Sequence, residues 1–315
     1  MLRMFRRLLG GSAGDATRVR RPRGQSSVYV LELEGWRAVP GTLRRLSQTG
    51  DFMQAMVTRC GSRVAWWGTG AADTVPRVWV ARLDGTEAAA CVTSGDGMQG
   101  HPYWHPDGVQ LVHFSSQATS WDPRRQFSPD RAPSHLRWLD IRTGESRALT
   151  EGAYVDERPA VAPDGRVVFV SNRSGHLNLW RVNEDGSALT QLTDGAGPDY
   201  RPCVSPDGRQ LAYFSTADDG SHQVRVRSLP GGEELDCGWT QRFQWSHGPF
   251  WCPDGRSLLV HARERGAPSP ALWIVDLESG TTERLDTPGI AGASHGTVDS
   301  AGHWLVFDSR QAPDS

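Results

Sequence analysis

The chain has 315 residues, a formal net charge of −2 and no lysine. A charge this close to zero leaves no electrostatic footprint for nucleic acid or an anionic membrane, no apolar run approaches a bilayer span, and the lack of lysine excludes Schiff-base catalysis and a phosphate-loop lysine. The cysteines at 60, 91, 203, 237 and 252 are odd in number, far apart and free of C-x-x-C pairs, which predicts reduced thiols.

Residues 1–25 read as an arginine-rich arm. Seven arginines stand against one aspartate between Met1 and Gly24, and arginine interrupts the apolar pieces before Gly10-Gly11. These pieces are too short for a secretory h-region, so the arm is expected to be disordered and solvated, and the protein cytoplasmic. Residues 26–315 read as a single domain. Its first elements are a strand over Val28 to Glu34, closed by Gly35, and a shorter one over Leu43 to Leu46. They form the second half of a repeat whose first half is missing at this end of the chain.

The full repeat follows. His101-Pro-Tyr-Trp-His-Pro-Asp-Gly108, Arg158-Pro-Ala-Val-Ala-Pro-Asp-Gly165, Arg201-Pro-Cys-Val-Ser-Pro-Asp-Gly208 and Gly248-Pro-Phe-Trp-Cys-Pro-Asp-Gly255 are its clearest copies. Gln54 to Gly61 and His295 to Gly302 keep the glycine and lose the proline and aspartate. Pro-Asp-Gly is hairpin chemistry: proline presets φ, aspartate bonds its own backbone, and glycine takes the positive φ of a tight turn. Short apolar runs after the turns, such as Val167 to Val170 and Leu211 to Phe214, suit strands buried on both faces. Third strands carry Trp79, Trp138, Trp180 and Trp273 at one position, expected as packing between repeats.

A period in the forties is the size of a four-stranded propeller blade. Residues 295–309 supply the missing first half of a blade, so the prediction is an all-β, six-bladed β-propeller of four-stranded antiparallel blades. Its last blade joins the N- and C-terminal strands and leaves no open sheet edge. Residues 115–135 form the longest insertion and carry Arg124, Arg125 and Arg131, a candidate lid or a polar hairpin.

The first strand of a blade lines the central channel, so the residue that opens each copy is expected near the axis. Gln54, His101, Arg158, Arg201, the His247-Gly248 pair and His295 would then ring one mouth. Imidazoles and an amide oxygen suit a divalent ion, and arginine forks suit carboxylates. The bland alternative is that these side chains only brace the blades. No nucleophile elbow, phosphate loop or Rossmann fingerprint occurs.

The copies at Arg158 and Arg201 resemble the TolB-type propeller repeat over nearly the whole chain. Gly100-His-Pro-Tyr103, Ser246 to Gly255, Ser294-His-Gly and Leu305 to Ser309 resemble, in the same order, segments of oligogalacturonate lyases. That narrower resemblance implies metal-assisted β-elimination on acidic (uronate) oligosaccharides, a carbon-oxygen lyase activity. A divalent metal, manganese or zinc, would sit on His295, with Gln54 and His101 as stand-in ligands. His247 would be the base, Arg158 or Arg201 would hold a carboxylate, and Gln244, Trp245, Trp251 and Arg124 would bind substrate. The Gln-x-x-His-x-His segment that completes the metal site in that family is missing after His295. The alternative is a non-catalytic scaffold that binds a protein, peptide or glycan at the propeller mouth.

Overall fold

The computed structural model describes residues 26–310 except 49, 120–130, 196, 217–221, 230, 231, 233, 236 and 291, and omits the side chains of residues 222 and 245–247. The arginine-rich arm and Arg124 therefore lie outside the described residues. So do the side chains of Trp245 and His247.

Six antiparallel sheets form the blades of a β-propeller. Blade 1 holds Gly50–Val57, Arg63–Gly70, Arg77–Arg82 and Ala90–Cys91; blade 2 holds Gln99–Trp104, Gln110–Ser116, Ser134–Asp140 and Ser146–Ala148. Blade 3 runs Asp156–Val161, Val167–Ser171, Asn178–Val182, Thr190–Gln191, and blade 4 runs Asp199–Val204, Gln210–Thr216, His222–Ser228, Glu234–Leu235. Blade 5 follows a 3-10 turn, Gly238–Arg242, with Phe243–Trp251, Ser257–Glu264, Ala271–Asp276 and Thr282–Leu285. First strands of successive blades touch all the way round, including blade 6 against blade 1.

Blade 6 closes the ring as expected. Ser294–Val298 pairs with Trp304–Ser309, which pairs in turn with Ser27–Glu34 in the register Ser27 to Ser309, Val30 to Val306 and Glu32 to Trp304. Its outer edge departs from a single fourth strand. Arg37–Ala38 and Arg44–Arg45 each pair with a different part of Ser27–Glu34, because positive φ at Gly35, Trp36 and Gly41 turns the chain between them.

The turns explain why the repeat tolerates two degenerate copies. In blade 2 the Asp107 carboxylate accepts from the backbone N–H groups of Val109 and Gln110 at 2.7 and 2.9 Å. In the degenerate copies the acceptor moves two residues back. Thr58 Oγ1 accepts from Ser62 and Arg63, and Asp299 Oδ1 accepts from His303 and Trp304. The same backbone donors are satisfied by a different side chain, and Gly61 and Gly302 keep positive φ.

Between blades the core is aliphatic and aromatic. Trp138 and Trp273 are buried, and Trp79 and Trp180 are partly buried against the clusters of their blades, as expected for inter-blade packing. Within blades 1 and 5 the rings of Phe52 and Trp79 and of Phe243 and Trp273 meet edge-on with centroids 5.5 and 5.1 Å apart, contacts worth about 0.5–1.5 kcal/mol each beyond their buried area. None of the five cysteines is in a disulfide. No helix among the described residues is long and apolar enough to cross a membrane.

Candidate functional site in the propeller channel

Each first strand is broken by a bulge at the same place. The ladder slips between Met53 and Met56, Gly100 and Tyr103, Glu157 and Ala160, Tyr200 and Cys203, His247 and Phe250, and Ser294 and Thr297. Two residues per blade drop out of pairing. The first is the residue that opens the repeat, and its backbone is left-handed: φ is 55° at Gln54, 49° at His101, and 51° at Arg158, Arg201 and His295. In blade 5 the equivalent residue is Gly248, φ 63°. The second is proline in four copies, which suits a position with no ladder hydrogen bond to donate. A left-handed non-glycine residue costs about 1–2 kcal/mol, so five of them at one level mark a strained ring.

The ring surrounds a cavity of about 90 Å³ lined by Gln54, His101, Arg158, Arg201, Gly248 and His295, with the second and third residues of most copies. Five predicted side chains therefore meet at the axis. The sixth position belongs to Gly248, and His247 stands one residue earlier, paired with His261 across the strand.

The missing side chain at 248 has a visible use. Arg201, in blade 4, reaches past blade 5 so that its Nη2 donates to His295 Nε2 in blade 6 at 3.0 Å. A Cβ on Gly248 would stand 3.5 Å from Arg201 Nη1 and 3.9 Å from its Cδ. His295 is held on its other side by Asp308, Nδ1 to Oδ1 at 2.8 Å, and Asp308 also accepts from Ser294 Oγ and from the backbone N–H of Gln54. With Nδ1–H given to Asp308, the Nε2 lone pair faces Arg201.

A second charged group sits beside this one. Arg131, from the far end of the long insertion, grips Glu157 through two hydrogen bonds of 2.9 and 2.7 Å. Arg158 Nε lies 3.6 Å from the same carboxylate, and its guanidinium stands 5.8 Å over the Tyr200 ring. Arg201 forms no ion pair within 4.0 Å among the described residues.

Burial and mutual repulsion dominate the electrostatics. Burial and the nearby Arg158 push the Arg201 guanidinium down to about 9, which still leaves it charged at neutral pH. Burial also lowers Arg158, against the pull of Glu157. His101 is pushed well below the ordinary imidazole range by burial and then by Arg158. Burial lowers His295, Asp308 partly restores it and Arg201 opposes that, so the ring is neutral near pH 7. Burial raises the Glu157 and Asp308 carboxyls, but Arg131 and His295 respectively outweigh it and both sit below the usual carboxylate range.

The three residues assigned to a metal do not fit one as they are arranged. Gln54 Oε1 accepts from the Trp67 indole at 2.9 Å. His101 is wedged between the rings of Trp67 and Phe114, at 4.7 and 5.0 Å. His295 presents its remaining nitrogen to a guanidinium, a fixed cation where a metal ion would have to stand. Among the described residues no group of three His, Cys, Asp or Glu side chains is disposed to hold a metal.

Of the expected substrate residues, the two whose side chains are described, Gln244 and Trp251, are not at this level either. Trp251 is buried, and its indole N–H donates to the Cys203 carbonyl at 3.0 Å, as Trp104 does to Met56 at 2.8 Å. Both pin adjacent blades. Gln244 is exposed and bonded to Arg263, and it lines no described cavity. Sequence reasoning missed the roles of Asp308 and Glu157. Asp308 lies inside a segment that was singled out, and Glu157 directly precedes a repeat opener, but their partners are fixed by closure of the ring.

No protein-family model matches the chain. An uncharacterized protein of Agrobacterium fabrum is 30% identical over 94 residues, 29% of this chain and 28% of that protein, so the match spans little more than a quarter of the relative's length. Among solved structures the chain is similar to TolB from Acinetobacter baumannii, at 16% identity and a TM-score of 0.61, over 94% of this chain and 66% of that one. It is similar to Kuenenia stuttgartiensis hydrazine synthase at 12% identity and a TM-score of 0.65, over 93% of this chain but 48% of the other. An oligogalacturonate lyase in complex with manganese aligns at 14% identity and a TM-score of 0.51, over 92% of this chain and 98% of the lyase. At these identities the likeness is one of fold: a TolB-like six-bladed propeller.

Proposed function

We propose that the chain is a binding propeller whose channel recognises the carboxylate of an acidic ligand, without a metal ion. One observation carries this reading. Arg158 and Arg201 converge on one small cavity; Arg158 shares the single carboxylate of Glu157 with Arg131, and Arg201 has no ion pair within 4.0 Å among the described residues. Buried guanidinium groups in excess of buried anions are unfavourable until an anion joins them, and a planar fork matches a carboxylate. The cavity has room for roughly three waters, which suits a head group rather than a whole sugar ring. Calorimetric titration of the full chain with acetate and galacturonate tests it. Both bind, and Arg201→Gln weakens both at least about tenfold, the equivalent of one charge-assisted hydrogen bond. No binding of either anion to the wild type overturns it.

A second reading is favoured by the His295–Asp308 pair and by the whole-chain likeness to the lyase fold. In it an oligouronate carboxylate draws Arg201 off His295, and the freed Nε2 takes the C5 proton. The C4–C5 double bond forms as the C4–O bond breaks, and the leaving oxygen is protonated. Ultraviolet absorbance from the unsaturated product checks it. Oligouronates that bind without any growth in absorbance leave the binding propeller alone standing.

A further inference from the structure

The arginine chamber adjoins a second cavity farther along the channel. The repeat lines the channel in levels: its first residue faces the chamber, its third residue forms the chamber floor, and its sixth residue lies one level below. The floor is mostly apolar, built by Met56, Tyr103, Cys203 and Phe250 with Thr297, and the first four of these also line a second cavity of about 190 Å³. Below them the lining includes the prolines of the Pro-Asp-Gly turns, Pro106, Pro163, Pro206 and Pro253, and, from the two degenerate copies, Arg59 and Ser300. Across the floor Tyr103 Oη and Cys203 Sγ meet at 4.0 Å, a weak contact.

From this shared floor we infer that the channel takes a linear, apolar monocarboxylate, with its head between Arg158 and Arg201 and its hydrocarbon body passing between the floor side chains into the lower cavity. This rests on the carboxylate reading above. The head must occupy the chamber, because the guanidinium groups are there, and the chamber has no volume left for the rest of the molecule. An apolar body running the other way would pass the level of the charged groups Glu157, Arg131 and Asp308, which offer it no apolar surface. Leaving through the floor it meets mostly apolar side chains, with Arg59, Ser205, Asp299 and Ser300 the polar exceptions in the lower cavity. Proline rings are rigid, so the lower cavity is formed before the ligand arrives and little ordering opposes binding. The two cavities together approach the lower end of the range for small-molecule sites, ~300 Å³.

A chain-length series on the intact wild-type protein tests this, with acetate, butanoate, hexanoate and octanoate as probes and octylamine as the charge-reversed control. The expected result is a dissociation constant that falls about fourfold for each added methylene, as for a buried CH₂ worth about 0.8 kcal/mol, with octylamine at least a hundredfold weaker than octanoate. Phe250→Trp, which thickens the floor, lowers the ratio of octanoate to acetate affinity at least tenfold. Equal affinity across the series, or octylamine binding as well as octanoate, overturns the inference while leaving carboxylate recognition intact. Failure of acetate and octanoate alike overturns both.

Discussion

Arg201 and His295 belong to blades 4 and 6, yet they meet at 3.0 Å because the residue between them on the ring is Gly248. A ring with a side chain on every blade would fill its own centre. One vacant position lets a guanidinium cross the channel, sets a cation beside a neutral imidazole and makes the chamber one-sided.

The vacancy gives a direct test. Gly248 has φ 63°, but five non-glycine residues hold the same conformation in the other blades, so the backbone accepts substitution at about 1–2 kcal/mol. Gly248→Ala is expected to fold, lose stability of that order and keep acetate binding, since its Cβ meets Arg201 at ordinary contact distance. Gly248→His restores a sixth side chain and displaces Arg201 from His295. Its acetate dissociation constant is expected to rise about tenfold or more, measured by calorimetry beside a thermal melt.

Glu157 is the structural counter-charge of the site. Its side chain is 2% exposed and serves Arg131 through two hydrogen bonds. Glu157→Gln leaves two buried guanidinium groups without their carboxylate, and removing one partner of a buried pair costs about 3–5 kcal/mol. Urea unfolding should show that loss in the midpoint with an unchanged slope.

Acid should unfold the protein through its buried histidines. Burial lowers His113 to about 4, against a backbone hydrogen bond to Phe114, and burial with nearby His295 lowers His261 to about 3. Above the unfolded value near 6.5 neither state binds the proton, and their contribution is fully present. Below it the unfolded chain takes up protons that the folded chain refuses. Stability therefore falls by about 1.4 kcal/mol per pH unit per histidine, down to about pH 4 for His113 and about pH 3 for His261. The lowered carboxyls of Glu157 and Asp308 add to the loss in the same direction at lower pH. A His261→Gln variant should show a shallower fall in stability between pH 6.5 and 4, read from chemical denaturation at each pH.

Ligand binding should be indifferent to divalent metal. The donors of Gln54 and His295 are already engaged, so dialysis against EDTA and resupply of manganese or zinc are expected to give the same acetate affinity. A metal-dependent affinity, or stoichiometric metal by elemental analysis, would contradict the fixed-cation role of Arg201.

Much of this was legible in the residues. Pro-Asp-Gly names a turn wherever it occurs, because proline, aspartate and glycine act on the backbone within a few bonds. The two incomplete halves at residues 28–46 and 295–309 had to find each other, since either alone exposes a sheet edge. The slip of His247 against Gly248 was visible by aligning the copies. The polar, apolar and proline levels of the channel are positions one, three and six of the same eight-residue phrase, although the bulge that turns position one toward the axis is not written in any residue type.

The amino-acid sequence by itself determined the blade, its number and the ring, because these follow from local turn chemistry and alternating burial repeated along the chain. Only the tertiary structure decided what the ring does with its side chains. Gln54 and Asp308 are 254 residues apart and are joined by one hydrogen bond, and Arg201 and His295 are 94 apart. Such pairings depend on the rotation between blades and on which position is left empty, and both are properties of the closed ring.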